Sequence, residues 1–187
     1  MPERPIMIIS GTNRPNAFAL KVARVVEGHY RQLNVACEVF SLADLPPEVF
    51  QPTAYATKPP AMVQIQNRVL NAVGLHVVSP EYNGGFPGIL KYFIDMLKFP
   101  ESFEHKPVAF IGEAAGIWGG IRPIEQLQQI FGYRNAHIFP KRVFIPAVNA
   151  KFDEKGSLID PVIDERIAHQ VAGFARFAAH MQSVPRA

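Results

Sequence analysis

The chain has one cysteine in 187 residues, Cys37, so it contains no internal disulfide framework. Its setting in NVACEVFSL reads as a buried strand thiol. No run of about 18 apolar residues occurs, which excludes a membrane-spanning helix, and the opening MPERPIMIIS lacks the long apolar stretch of a signal peptide. A cytoplasmic protein without membrane contact is expected. Charge of one sign is not concentrated either. The 19 Lys and Arg stand against 16 Asp and Glu, and the basic residues are scattered, so nucleic acid is not an expected partner. The six histidines show no HxxxH or other ligand spacing, so no metal site is expected. Neither GxxxxGK[ST] nor GxGxxG is present, and no acid and base pair suggests itself for proton transfer. Internal repeats, low-complexity tracts and linkers are also missing, and residues 1–187 read as a single domain.

Short apolar runs are abundant. PIMIIS (5–10), VACEVF (35–40), VGLHVVS (73–79), PVAFIG (107–112) and HIFPKRVFI (137–145) are strand candidates rich in Val, Ile and Phe. Residues 17–32, 61–72, 88–98, 121–132 and 161–182 read as helices. Strand then helix, five times over, predicts an α/β fold with a parallel sheet covered on both faces. Right-handed crossovers narrow this to a flavodoxin-like, doubly wound five-stranded sheet of order 2-1-3-4-5. The Pro-rich stretch DLPPEVFQPTAYATKPP (44–60) is too long for an ordinary connection. It reads equally as a lid, a partner contact or a surface loop pinned by Phe50 and Tyr55. Helix 88–98 carries Ile89, Leu90, Phe93, Ile94, Met96 and Leu97, more apolar surface than one side of a covered sheet requires. A homodimer or homotetramer is therefore expected.

Ligands of such folds sit outside the carboxyl ends of the strands, near the point where strand order reverses. After the first strand, SGTNRPNAFALKVARVV (10–26) offers Gly11 for a tight turn, the polar Thr12 and Asn16, the cation Arg14, and the start of a helix. That set describes either a phosphate site or a capped helix beside a solvated arginine. After the third strand, SPEYNGGFPGILKYFIDML (79–97) spends six Pro, Gly and Asn residues on backbone that is neither helix nor strand. Gly84 and Gly85 let a flat ligand approach main-chain amides, and Tyr82 and Asn83 can reach its face or edge. After the fourth strand, GEAAGIWGGIRPIEQL (112–127) adds a third glycine loop with Trp118. Three permissive loops at one sheet edge suggest a planar ligand with a phosphate tail. His76 reads as a packed histidine, and Glu81 as a partner of a nearby arginine or amide rather than a proton donor.

GTNRPN and SPEYNGGFPGILKYFIDML, followed by GEAAGIWGG, resemble the NADPH-dependent FMN reductase family over about residues 5–145. That family also includes quinone, azo-dye and chromate reductases. The resemblance implies that Gly11, Thr12, Arg14, Asn16 and Ala17 hold the FMN phosphate. Pro80, Glu81, Tyr82, Asn83 and Gly84 would line the isoalloxazine, and Gly116, Gly119 and Gly120 would shape the far side of the pocket. The chain departs from the family's usual serine at Ala17, and the phosphate cup is short of one hydroxyl. Tyr92 stands where asparagine is common.

The activity so implied is hydride transfer from NADPH, or NADH, through bound FMN to a small-molecule electron acceptor such as a flavin or quinone, by ping-pong turnover. No protein nucleophile or base is required, so no catalytic side chain is assigned. Two other classes fit the same fold: a flavodoxin-type FMN electron carrier and a non-enzymatic flavin-binding protein.

Overall fold

A computed structural model describes residues 4–184. In chain order the elements are β1 (Ile6–Ser10), α1 (Phe18–Gln32), β2 (Cys37–Ser41), α2 (Pro60–Asn71), β3 (Gly74–Pro80), α3 (Gly88–Met96), β4 (Pro107–Glu113), α4 (Ile121–Tyr133), β5 (His137–Ile138), β6 (Val143–Ile145) and α5 (Pro161–Ser183). The strands are parallel in the order β2-β1-β3-β4-β5, as the alternating pattern predicts. β1, β3 and β4 are buried along their whole length, because helices cover both faces and leave no polar side. The period of two divides the core. Met7 and Ile9 face α2, α3 and α4, while Ile6 and Ile8 face α1 and α5.

The strand expected over 137–145 is two strands. Pro140 lacks an N–H and interrupts the ladder, so β5 pairs with Pro107 and Val108 while β6 pairs with Ile111 to Glu113. Both lie against the same edge of β4, and the five-position order survives.

The 44–60 stretch resolves into short 3₁₀ turns at Leu42–Asp44, Pro47–Phe50 and Pro52–Tyr55. Leu42, Leu45, Val49 and Ala54 pack into the core shared with α3. The Tyr92 hydroxyl donates to the Val49 carbonyl at 2.6 Å, and the rings of Phe50 and Tyr55 lie 5.3 and 5.8 Å from the Tyr92 ring. Leu90, Phe93 and Met96 are thereby buried within one chain. The apolar face of α3 needs no second subunit to cover it, and the argument for an oligomer from that helix fails.

Two buried polar groups fix the lower half of the fold. Lys106 donates to the carbonyls of Val69, Leu70 and Ala72 at 3.1, 3.2 and 2.6 Å, closing the carboxyl end of α2 with a cation. His76, fully buried in β3, joins Tyr30 of α1 to Gln170 of α5. Gln170 Nε2 donates to the carbonyls of Phe110 and Lys141, which leaves its Oε1 to accept from His76 Nε2. His76 Nδ1 then accepts from the Tyr30 hydroxyl at 2.8 Å. Burial holds this neutral imidazole well below its ordinary pKa, at about 4.

Candidate functional site

At the carboxyl edge of the sheet, the ends of β1, β3 and β4 and the turn after β6 enclose a cavity of about 430 Å³, within the size range of small-molecule sites. Each wall follows from local sequence. In the β1–α1 loop, the Gly11 N–H bonds the Val78 carbonyl at 2.8 Å, and a Cβ at Gly11 would lie 2.8 Å from that oxygen. Only glycine lets the chain leave β1 this close to β3. Thr12 is buried; its Oγ1 accepts the Arg14 N–H and lies 3.2 Å from the Tyr82 hydroxyl. Asn16 turns the chain at φ 56°.

Ala17 then caps α1 in extended conformation with no side-chain bond, and the first turn of the helix holds no acidic residue. The amides there lack a local acceptor. Ala17, Phe18, Arg14 and Asn16 all line the cavity. The positive end of α1 therefore opens into it, with the Arg14 guanidinium 5.3 Å over the Tyr82 ring beside it.

The second wall is Pro80, Glu81 and Tyr82. Beyond them the chain makes a two-residue hairpin: Tyr82 and Gly85 exchange both backbone bonds, at 2.9 and 3.1 Å, across Asn83 (φ 52°) and Gly84 (φ 77°). Two successive positive φ values are what Asn-Gly supplies to a turn of this kind. Asn83 and Gly84 stand exposed at the tip and do not line the cavity. The Glu81 Oε1 accepts from Arg122 Nη1 at 2.9 Å, the arginine pairing the sequence suggested. Its Oε2 is buried and has no hydrogen-bond partner.

The third glycine loop reaches the cavity through Ala114 and Ala115, and its later glycines pack away from it. A Cβ on Gly120 would come 2.5 Å from the Glu113 N, and one on Gly119 would come 2.9 Å from the Pro146 N. These glycines let the β4–α4 loop pack on β4 and on the end of β6. Gly116 lies in open space, with its carbonyl accepting the Ala147 N–H. None of the three, nor Gly11 or buried Thr12, is among the lining residues. Ile117 and Trp118 of this loop are exposed, 81% and 58%, and Arg122 lies 5.5 Å over the Trp118 ring.

Seven lining residues were not singled out from sequence: Pro15, Phe18, Glu113, Ala114 with Ala115, and the Val148–Asn149 pair. Val148 and Asn149 arrive on a 3₁₀ turn after β6 that carries no motif. Glu113 had a readable signal, as the acidic residue ending an apolar strand that points at the ligand edge. It is 5% exposed. Burial raises its pKa to about 7, and a hydrogen bond from the Ala19 N–H, in the first turn of α1, opposes that rise.

The site thus combines an uncapped helix terminus, an arginine and a flat apolar wall of Pro80 and Tyr82. Such an arrangement can hold an anionic, planar molecule. Among the described residues no cluster of His, Cys, Asp and Glu is placed to hold a metal ion, and no helix is long and apolar enough to cross a membrane.

Comparison with known proteins gives consistent matches. The family model of NADPH-dependent FMN reductase matches residues 5–150. An NAD(P)H-dependent FMN reductase of Pseudomonas aeruginosa is 33% identical over 116 residues, covering 60% of this chain and 63% of that protein. The matched part thus spans under two thirds of that relative's length. A quinone reductase of Escherichia coli is 28% identical over 180 residues, covering 92% and 94% of the two chains. Among solved structures, the flavoenzyme NAD(P)H:(acceptor) oxidoreductase FerB of Paracoccus denitrificans superposes with a TM-score of 0.79 at 19% identity, over 95% of this chain and 98% of that one. At that identity the likeness bears on the fold.

Proposed function

The chain belongs to the NADPH-dependent FMN reductase family, and from that premise we propose that it is an FMN-dependent reductase that takes hydride from NAD(P)H and passes electrons to a small oxidant such as a quinone or flavin. The observation that carries this reading is the uncapped amino terminus of α1 opening, with Arg14, into the cavity at the sheet's carboxyl edge.

The residues present fit an FMN. Its phosphate would meet Arg14, Asn16 and the amides at Ala17 and Phe18, where the helix terminus favours an anion and no side chain of the loop competes. Pro80 and Tyr82 present flat apolar surface to a ring, with Tyr82 fixed through Thr12. The Asn83–Gly84 tip, exposed and hinged by its positive φ angles, would bring backbone amides to the ring edge. Gly119 and Gly120 hold the β4–α4 loop close to the sheet, and Ala114 and Ala115 of that loop line the cavity. Bound FMN would supply the hydride acceptance and the onward electron transfer. The protein's share would be orientation and exclusion of water. Donor and acceptor would use the same ring face in turn, which is ping-pong turnover. The exposed Ile117 and Trp118 suit apolar, planar acceptors. We extend the reading to a cytoplasmic homo-oligomer, on the family resemblance and not on α3.

NADPH and NADH consumption by the purified protein, measured with and without added FMN in the presence of a quinone, tests this. Flavin-dependent turnover with parallel double-reciprocal lines is expected. Flavin binding without nicotinamide oxidation would mark an electron carrier instead.

A further inference from the structure

Glu113 is a charged residue placed against the one cavity wall that otherwise favours anions. Its backbone belongs to β4, opposite Pro80 in the β3 register, and its N–H and carbonyl are tied into the sheet and to Glu81. The side chain is nine-tenths buried, lines the cavity, and takes a hydrogen bond from the Ala19 amide. A helix that starts at an alanine cap has donors to spare and none of the usual local acceptors. A carboxyl group reaching in from the neighbouring strand end fills that role from outside the loop.

The charged and titratable groups that line the same cavity are few. Arg14 comes from the β1–α1 loop, and Glu81 and Tyr82 from the loop after β3; Phe18, Val148 and Asn149 contribute no charge. Glu81 is matched by Arg122 of α4 at 2.9 Å. Arg14 is exposed and lies over Tyr82. Glu113 has neither an arginine nor a lysine as a salt-bridge partner among the described pairs.

We propose that Glu113 is a resident acceptor for the amino terminus of α1, and that the phosphate of a bound flavin enters only when this carboxyl group is protonated. The inference rests on the reading of the cavity as a flavin-phosphate site. A phosphate dianion and an ionised carboxylate compete for the same amides and repel each other at short range inside a partly dry cavity. A protonated Glu113 leaves the amides to the phosphate and offers its own O–H to a phosphate oxygen. Binding of the phosphorylated flavin therefore takes up a proton, and binding of an unphosphorylated flavin does not. Glu113 is a positioning residue that selects the charge of the ligand, with a pKa of about 7 that puts the selection in the physiological range.

The test is fluorescence titration of the purified protein with FMN and with riboflavin at pH 7 and pH 8.5, where the flavin phosphate stays a dianion. For the parent, the FMN Kd should rise about tenfold between the two pH values while that of riboflavin changes less than twofold. For Glu113→Gln, which keeps an acceptor for the Ala19 amide without the charge, both should stay level. Calorimetry of the parent in buffers of different ionisation enthalpy supplies an independent readout: close to one proton taken up per FMN bound at pH 8.5, and none with riboflavin. An equal pH dependence in parent and Glu113→Gln, or no proton uptake, overturns the proposal. If neither flavin binds at either pH, the flavin reading falls and the proposal falls with it.

Discussion

Arg14 and Tyr82 come from different loops, yet the guanidinium lies 5.3 Å over the phenol ring, whose hydroxyl is 3.2 Å from Thr12 Oγ1. The contact ties the loop after β1 to the loop after β3 across the mouth of the cavity. Arg14 is exposed, so it can leave the ring for an anion at little cost. A charge-assisted bond to phosphate is worth roughly 1.5–3 kcal/mol. Arg14→Ala should therefore weaken FMN by about tenfold or more and riboflavin by less than about threefold, the residue's loss from Tyr82 being shared by both. Equal losses in titrations of the two flavins would assign Arg14 to loop support alone.

Gly84 holds φ 77° at the tip of the Asn-Gly turn, and its nearest prospective Cβ neighbour, Arg122 Cδ, is 3.9 Å away. Space is available, but the backbone conformation is one that β-branched residues resist. Gly84→Val should leave the sheet intact, lower the melting temperature only slightly, and distort the hairpin enough to reduce flavin retention. Gly84→Ala should fall between. Undiminished FMN binding by Gly84→Val would place the ring away from this hairpin.

Ala17 leaves α1 without a side-chain cap. A serine there is able to accept from an amide of the first turn, which stabilises helices by about 1 kcal/mol, and to donate to a phosphate. Ala17→Ser should raise the melting temperature of the flavin-free protein and tighten FMN about fivefold. Calorimetric titration showing no tightening would mean that the loop already has donors enough.

His76 and Glu113 titrate in opposite senses. The folded state holds His76 at about 4 against an ordinary 6.5, so as pH falls below 6.5 the unfolded chain gains a proton that the folded one refuses, and stability declines until about pH 4. Glu113 is held at about 7 against an ordinary 4.5, so its contribution is full below pH 4.5 and is lost as pH rises through 7. Each amounts to about 3 kcal/mol. From pH 4.5 to 6.5 the two slopes cancel. Urea unfolding of the flavin-free parent should give a nearly level midpoint there from this pair, whereas Glu113→Gln should become more stable as pH rises across the same window. Parallel profiles for parent and variant would contradict the assignment.

Much of the fold is legible in the sequence. The apolar runs of β1, β3 and β4 announced strands buried on both faces, and their alternation with helices fixed the order of the sheet. Arg14, Asn16 and Tyr82, read from the loops, and Ala17, Pro80 and Glu81, implied by the resemblance, line one cavity, whereas Gly11, Thr12, Asn83, Gly84, Gly116, Gly119 and Gly120 do not. What was hidden depends on contacts distant in sequence. Pro140 split a strand whose pairing partner, β4, lies some thirty residues earlier, and nothing local said which half would pair. The cover over α3 comes from residues 42–55, whose prolines read as loop and whose Val49 and Ala54 gave no periodic signal. Glu113 looked like the end of an apolar run, and only the fold brings it to the start of a helix some ninety residues back.

The two half-reactions, taken apart, separate a reductase from an electron carrier. FMN-loaded protein is mixed anaerobically with one equivalent of NADPH, its flavin absorbance is followed, and a quinone is then added after the nicotinamide is removed. A reductase bleaches the bound flavin in the first step and regains its full absorbance in the second. Flavin that stays oxidised in the presence of both NADPH and NADH would contradict that activity.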